Sequence, residues 1–169
     1  MATTTNLLTK TNLKHPAGLW GLSWIYSLFM CAFGSLLASI TLYLLHGLHF
    51  SQTHAYTTFG AYASLLWTLP LAGGYLAGRY GYRTSAVIGI VLSIIGTACL
   101  GFQNRELLYV GLAAFVVGNA YFTSAVWCMV DHLYGKDDRL RETGFTLFYL
   151  LFYIGAVLGI FLGGYMDSA

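Results

Sequence analysis

No Asp or Glu occurs before Glu106, and residues 19–45 carry no charge at all. That pattern constrains the fold more than any other feature of the chain. A soluble domain holds roughly one charged residue in four, whereas this sequence is 8% charged and 57% hydrophobic. Membrane spans explain such a long acid-free stretch, so the chain reads as a polytopic all-α membrane protein. Its net charge of +2 sits in connecting segments. There it sets orientation and does not make a nucleic-acid surface. The first apolar run is longer than a signal-peptide core and lacks an A-x-A-like site in the expected place.

A span needs roughly 20 apolar residues. Five segments qualify, at about 19–45, 54–77, 84–102, 107–130 and 144–166. They predict one helical bundle over residues 19–166, preceded by a polar cytoplasmic arm at 1–18. Trp20, Trp24 and Tyr26 near the start of the first span, and Tyr43 near its end, suit the aromatic belts of a bilayer. Pro70 falls inside the second span and removes one helix hydrogen bond, which neighbouring helices can offset in a bundle. The links are a short polar segment at 46–53, a basic turn at 74–83 and a charge-rich loop at 131–143. That loop holds Asp131, His132, Lys136, Asp137, Asp138, Arg139, Arg141 and Glu142.

Basic residues favour cytoplasmic loops. Lys10, Lys14, Arg79, Arg83, Lys136, Arg139 and Arg141 fall on one side of alternating spans, and only Arg105 on the other. The N-terminus is therefore expected inside and the C-terminus outside, in the inner (plasma) membrane of a bacterium.

The spans offer little reactive chemistry. Gly155, Gly159 and Gly163 share one face of the fifth span, as small residues do where membrane helices pack closely. Asn119 is the strongest polar group inside a span and is expected to face the bundle interior, either for packing or to line a cavity. Cys31, Cys99 and Cys128 occur singly and read as small packing residues. His46, His49 and His54 have spacings that suit an interfacial loop better than a metal site. No nucleophile–base pair, paired catalytic acids or phosphate-cradling loop is present. The chain therefore reads as a non-enzyme without a cofactor or metal. No span contains a carboxylate that could relay protons.

The turn at 74–83 reads Gly-Tyr-Leu-Ala-Gly-Arg-Tyr-Gly-Tyr-Arg. With Gly74, Arg79, Gly81 and Arg83 in place, it resembles the G-x-L-A-D-R-x-G-R-R loop of the major facilitator superfamily. Gly78 stands at its acidic position and Tyr82 at the first of its final basic pair. Further fragments resemble the proton-dependent oligopeptide transporter family. They are Thr41-Leu42-Tyr43-Leu44, Phe59-Gly60-Ala61-Tyr62, residues 69–74, Gly118-Asn119, Leu133-Tyr134 and the run 141–149 followed by Gly155.

That resemblance implies five transmembrane helices like the N-terminal half of a major facilitator transporter, and proton-coupled movement of di- and tripeptides. It also implies departures. The family's E-x-x-E-R-F coupling motif is replaced at its charged positions by Tyr26, Phe29 and Met30. Its helix-four lysine corresponds to Thr123, and its helix-five Asn to Tyr153. A substrate-facing aromatic survives as Trp67. The candidate substrate-cavity residues are Trp67, Asn119, Thr123, Tyr149 and Tyr153.

Three readings follow. One is an incomplete peptide transporter lacking the usual coupling residues, completed by a separately encoded C-terminal half or by self-association. Another is a non-transporting membrane subunit or the remnant of a split transporter. The third, a membrane enzyme, has no catalytic constellation behind it. The expected partners are the lipid bilayer and small peptides, with no nucleic acid.

Overall fold

The structure, a computed structural model, describes residues 15–102, 104–134 and 138–168. Lys10, Lys14 and Lys136, most of the expected N-terminal arm and part of the expected charged loop lie outside the described residues. What is described is helical: α1 (Ala17–Leu42) continued by a π-helical turn (Tyr43–Gly47), α2 (Gln52–Tyr80), α3 (Tyr82–Leu100), α4 (Arg105–Tyr134) and α5 (Asp138–Ser168).

Four of these, α1 with its π turn, α3, α4 and α5, are long and apolar enough to cross a membrane. At 29 residues α2 is long enough, since about 20 residues rising 1.5 Å each span the hydrocarbon core. It falls short in apolar content because Thr and Ser recur along it. Those hydroxyls bond back to their own helix, Thr57 to the Thr53 carbonyl (2.7 Å), Ser64 to Gly60 (2.8 Å) and Thr68 to Ser64 (2.7 Å). None of the three is therefore left as an orphan donor in an apolar setting.

The links are shorter than the sequence suggests. The expected turn at 74–83 is helical up to Tyr80 and again from Tyr82, leaving Gly81 alone between α2 and α3. Gly81 has φ +90° and ψ 139°, a backbone state open to glycine and strained for other residues. Gly74 and Gly78 do not mediate close approach, since a Cβ on either meets nothing nearer than 3.9 Å. The contact belongs to Gly73, whose Cβ would press on the Ala120 backbone. The expected charged loop is mostly helix as well. Asp131 and His132 ride on the last turn of α4, while Arg141 and Glu142 lie in the first turns of α5. Arg141 pairs with Asp131 across the two helices. Polar residues at the ends of helices that overrun the hydrocarbon core keep their helical hydrogen bonds, so charge does not force a loop there. The expected 46–53 link likewise begins only after Gly47, and Leu48 and Phe50 are buried in the core.

Packing runs through three seams of small residues. The tightest join α3 to α4 and α1 to α5. In the first, Gly89 and Gly96 meet the backbone at Gly118, Phe122, Gly111 and Phe115. In the second, Gly155, Gly159 and Gly163 lie against the backbone of Ser27, Cys31 and Ser35, and Ser35 Oγ donates to the Gly159 carbonyl at 2.8 Å. In the third, Ser124 Oγ donates to the Pro70 carbonyl at 2.7 Å beside the Gly73–Ala120 contact. Contact order along the seams makes α3 and α4 antiparallel and α1 and α5 parallel, so successive helices alternate in direction. Arg79, Arg83 and Arg141 gather at one end of the bundle. Arg105 is at the other, its guanidinium 5.0 Å from the Phe50 ring centre.

Candidate ligand cavity

Glycine seams draw α1 onto α5 and α3 onto α4, which leaves a gap where α1, α2, α4 and α5 face each other. The gap is a cavity of about 400 Å³. Tyr26, Met30 and Phe33 of α1 form one wall, and Leu66, Trp67 and Pro70 of α2 face them. Asn119, Thr123 and Trp127 come from α4, and Tyr149, Phe152 and Tyr153 from α5. Among the described residues no charged side chain lines it.

The floor is held by hydrogen bonds. Trp127 Nε1 donates to the Tyr26 phenol oxygen at 3.1 Å. Beside it, the Thr123 hydroxyl donates to Asn119 Oδ1 at 3.3 Å. Among the described residues nothing accepts from the Asn119 amide NH₂, so the amide is left as a free donor. Aromatic rings hold this line in place. Tyr26 stacks on Phe148 (5.0 Å between centroids) and Phe152 (5.6 Å), and Trp127 meets Tyr149 edge-on at 4.8 Å. Asn119 and Tyr26 are buried, whereas Trp67 is 79% and Tyr153 60% exposed, so one side of the cavity is open. Pro70 adds a polar feature of its own, since it has no N–H and leaves the Leu66 carbonyl without its helical donor.

Residues 12–169 match the Major Facilitator Superfamily. The chain belongs to this superfamily. Similar proteins include three named "Dipeptide and tripeptide permease B". That from Photorhabdus asymbiotica is 32% identical over 72% of this chain, and that from Aliivibrio fischeri 33% over 72%. The one from Salmonella typhimurium is 31% identical over 73%. The chain spans about a quarter of the length of these relatives, 25%, 25% and 26% respectively.

In this superfamily bundle, Trp67, Asn119, Thr123, Tyr149 and Tyr153 converge on one cavity from three helices. Of the positions that correspond to the peptide-transporter coupling motif, Tyr26 and Met30 line that cavity. Phe29 points elsewhere and packs on Phe122 at 4.3 Å between ring centroids. Arg79, Gly81 and Arg83 lie at the α2–α3 junction and do not line it, nor does Gly74, one turn beyond Pro70 on α2. Gly155, Gly159 and Gly163 form the α1 contact and do not enter the cavity. His54 faces the Tyr109 hydroxyl (3.3 Å) and the Phe50 ring, with His46 in the π turn and His49 at φ 51°. Sequence reasoning missed Phe33, Leu66, Trp127 and Phe152, and did not place Tyr26, Met30 or Pro70 in the cavity. The available signal was spacing: Asn119, Thr123 and Trp127 recur every four residues on α4, as Tyr149 and Tyr153 do on α5.

Proposed function

We propose that this chain forms the ligand-binding bundle of a membrane permease for small peptides and peptide-like molecules, moving them down their gradient. The observation that carries the reading is the aromatic, amide-bearing cavity between α1, α2, α4 and α5 of a facilitator bundle. The dipeptide and tripeptide permeases among its relatives support the substrate class. Proton coupling is not part of the proposal. Coupling in a membrane needs a titratable group within the pathway, and Tyr26, Phe29, Met30 and Thr123 occupy the positions where the peptide-transporter motif carries charge. The carboxylate and imidazole of α4 nearest the cavity, Asp131 and His132, are at the end of that helix. A second bundle would complete the pathway, because alternating access rocks one bundle against another around a midplane site.

The proposed orientation puts the N-terminus and the end bearing Arg79, Arg83 and Arg141 in the cytoplasm, in a bacterial inner membrane. The basic bias supports it. A second reading, a non-transporting membrane subunit, draws support from the same uncharged cavity.

The test is uptake of a panel of labelled di- and tripeptides into vesicles carrying the chain, with and without an inward proton gradient. Facilitated flux that stops at equilibrium in both conditions is expected. Accumulation above equilibrium that an uncoupler abolishes would refute the uncoupled mechanism. Absence of flux for every peptide would favour the non-transporting subunit.

A further inference from the structure

We infer that the cavity takes uncharged aromatic peptide-like molecules, such as cyclic or end-blocked dipeptides, in preference to zwitterionic peptides. The inference rests on the permease reading and narrows its substrate class.

Charge is the first argument. A zwitterion that seats a terminus against the buried wall at Tyr26 and Asn119 loses water there, and among the described residues no lining side chain offers a countercharge. Burying an uncompensated ion is among the most costly events in a protein interior. Asp131 and Arg141, on α4 and α5, are paired with each other and do not line the cavity.

Hydrogen-bonding polarity is the second. Thr123 donates to the Asn119 carbonyl oxygen, which leaves the amide NH₂ facing the cavity as a donor. That NH₂ donates to a ligand carbonyl, and a neutral amide gives an ammonium no countercharge. The Leu66 carbonyl, deprived of its helical donor by Pro70, supplies an acceptor on the α2 wall. One donor and one acceptor are the complement of a secondary amide.

Shape is the third. Tyr149, Phe152 and Tyr153 present rings from α5, with Trp67 opposite on α2. Ring pairs of this kind favour an aromatic guest through stacked and edge contacts.

The experiment uses the full chain carrying Trp20→Phe and Trp24→Phe in lipid nanodiscs, so that quenching reads Trp67 and Trp127 alone, with empty nanodiscs as the partitioning control. The probes are cyclic diphenylalanine, N-acetyl-diphenylalanine amide and the linear zwitterion diphenylalanine. The two uncharged probes should bind at least about 10-fold tighter than the zwitterion, reflecting the uncompensated terminus. Asn119→Leu should weaken the cyclic probe by about 10-fold, and the comparison within the unmodified chain decides the matter if that variant misfolds. Equal or tighter binding of the zwitterion overturns the inference and leaves the permease reading standing. Binding of none of the three overturns both.

Discussion

Replacing Gly159 by alanine tests whether the α1–α5 seam is set by backbone contact. A Cβ at Gly159 would fall inside contact distance of the Cys31 carbonyl oxygen, 2.8 Å from its carbonyl carbon and 2.9 Å from its Cα. Ordinary contact begins near 3.4 Å, and the obstacle is backbone, so the helices must separate. Gly164 on the same helix meets nothing within 4 Å. Both substitutions gain the same helix propensity, so the difference between them isolates packing. Overpacking costs roughly 1–3 kcal/mol. Separation also stretches the Ser35–Gly159 hydrogen bond, of a kind averaging about 0.6 kcal/mol in membrane bundles. Gly159→Ala should therefore be less stable than Gly164→Ala by roughly 1.5–3.5 kcal/mol. The assay is reversible unfolding in mixed detergent micelles, followed by far-UV helicity. Stabilities within about 0.5 kcal/mol of each other, the ordinary scatter of surface substitutions, would refute the contact argument.

At Gly81 the same exchange probes conformation without packing, because a Cβ there meets nothing within 4 Å. Gly81→Ala should cost about 1–3 kcal/mol from its φ of +90°, while Gly78→Ala, in open helix, should be neutral or stabilising in the same melts. For topology, cysteines introduced at Tyr80 and Asn104 in a background free of the native cysteines should react with an impermeant maleimide from opposite faces, Tyr80→Cys from the cytoplasm. Labelling of both from one face would overturn the proposed orientation.

Much of the bundle was legible because one physical rule, no charge in hydrocarbon, marks helices directly. Asn119 was legible for the same reason, since a lone amide amid apolar residues must turn inward. The links were not, because charge alone does not distinguish a loop from a helix end. Asp131, His132, Arg141 and Glu142 show that helices overrun the membrane and carry charge on their ends. The small-residue code was half legible. Gly155, Gly159 and Gly163 announce a packing face by spacing, but their partners Ser27, Cys31 and Ser35 look like ordinary span residues. Nor does spacing show that Gly73 meets a neighbour while Gly74 does not. Which of two adjacent glycines faces a helix depends on rotation about the helix axis, and that is fixed only by the assembled bundle. Trp127 and Phe152 escaped notice because aromatics are common in spans, and only convergence in three dimensions distinguishes a cavity wall from a lipid-facing ring.

The pairing of the first helix with the fifth has a consequence for biosynthesis. The α3–α4 hairpin closes between neighbours and can form as soon as α4 leaves the ribosome. The α1 seam joins Ser35 to Gly159 across 124 residues. At roughly 5–20 residues per second of synthesis, α1 waits on the order of ten seconds beside the translocon with Ser27, Cys31 and Ser35 uncovered. During that interval its small-residue face is open to close approach by other helices in the membrane. Damage to the glycines of α5 would therefore leave that face open after synthesis ends.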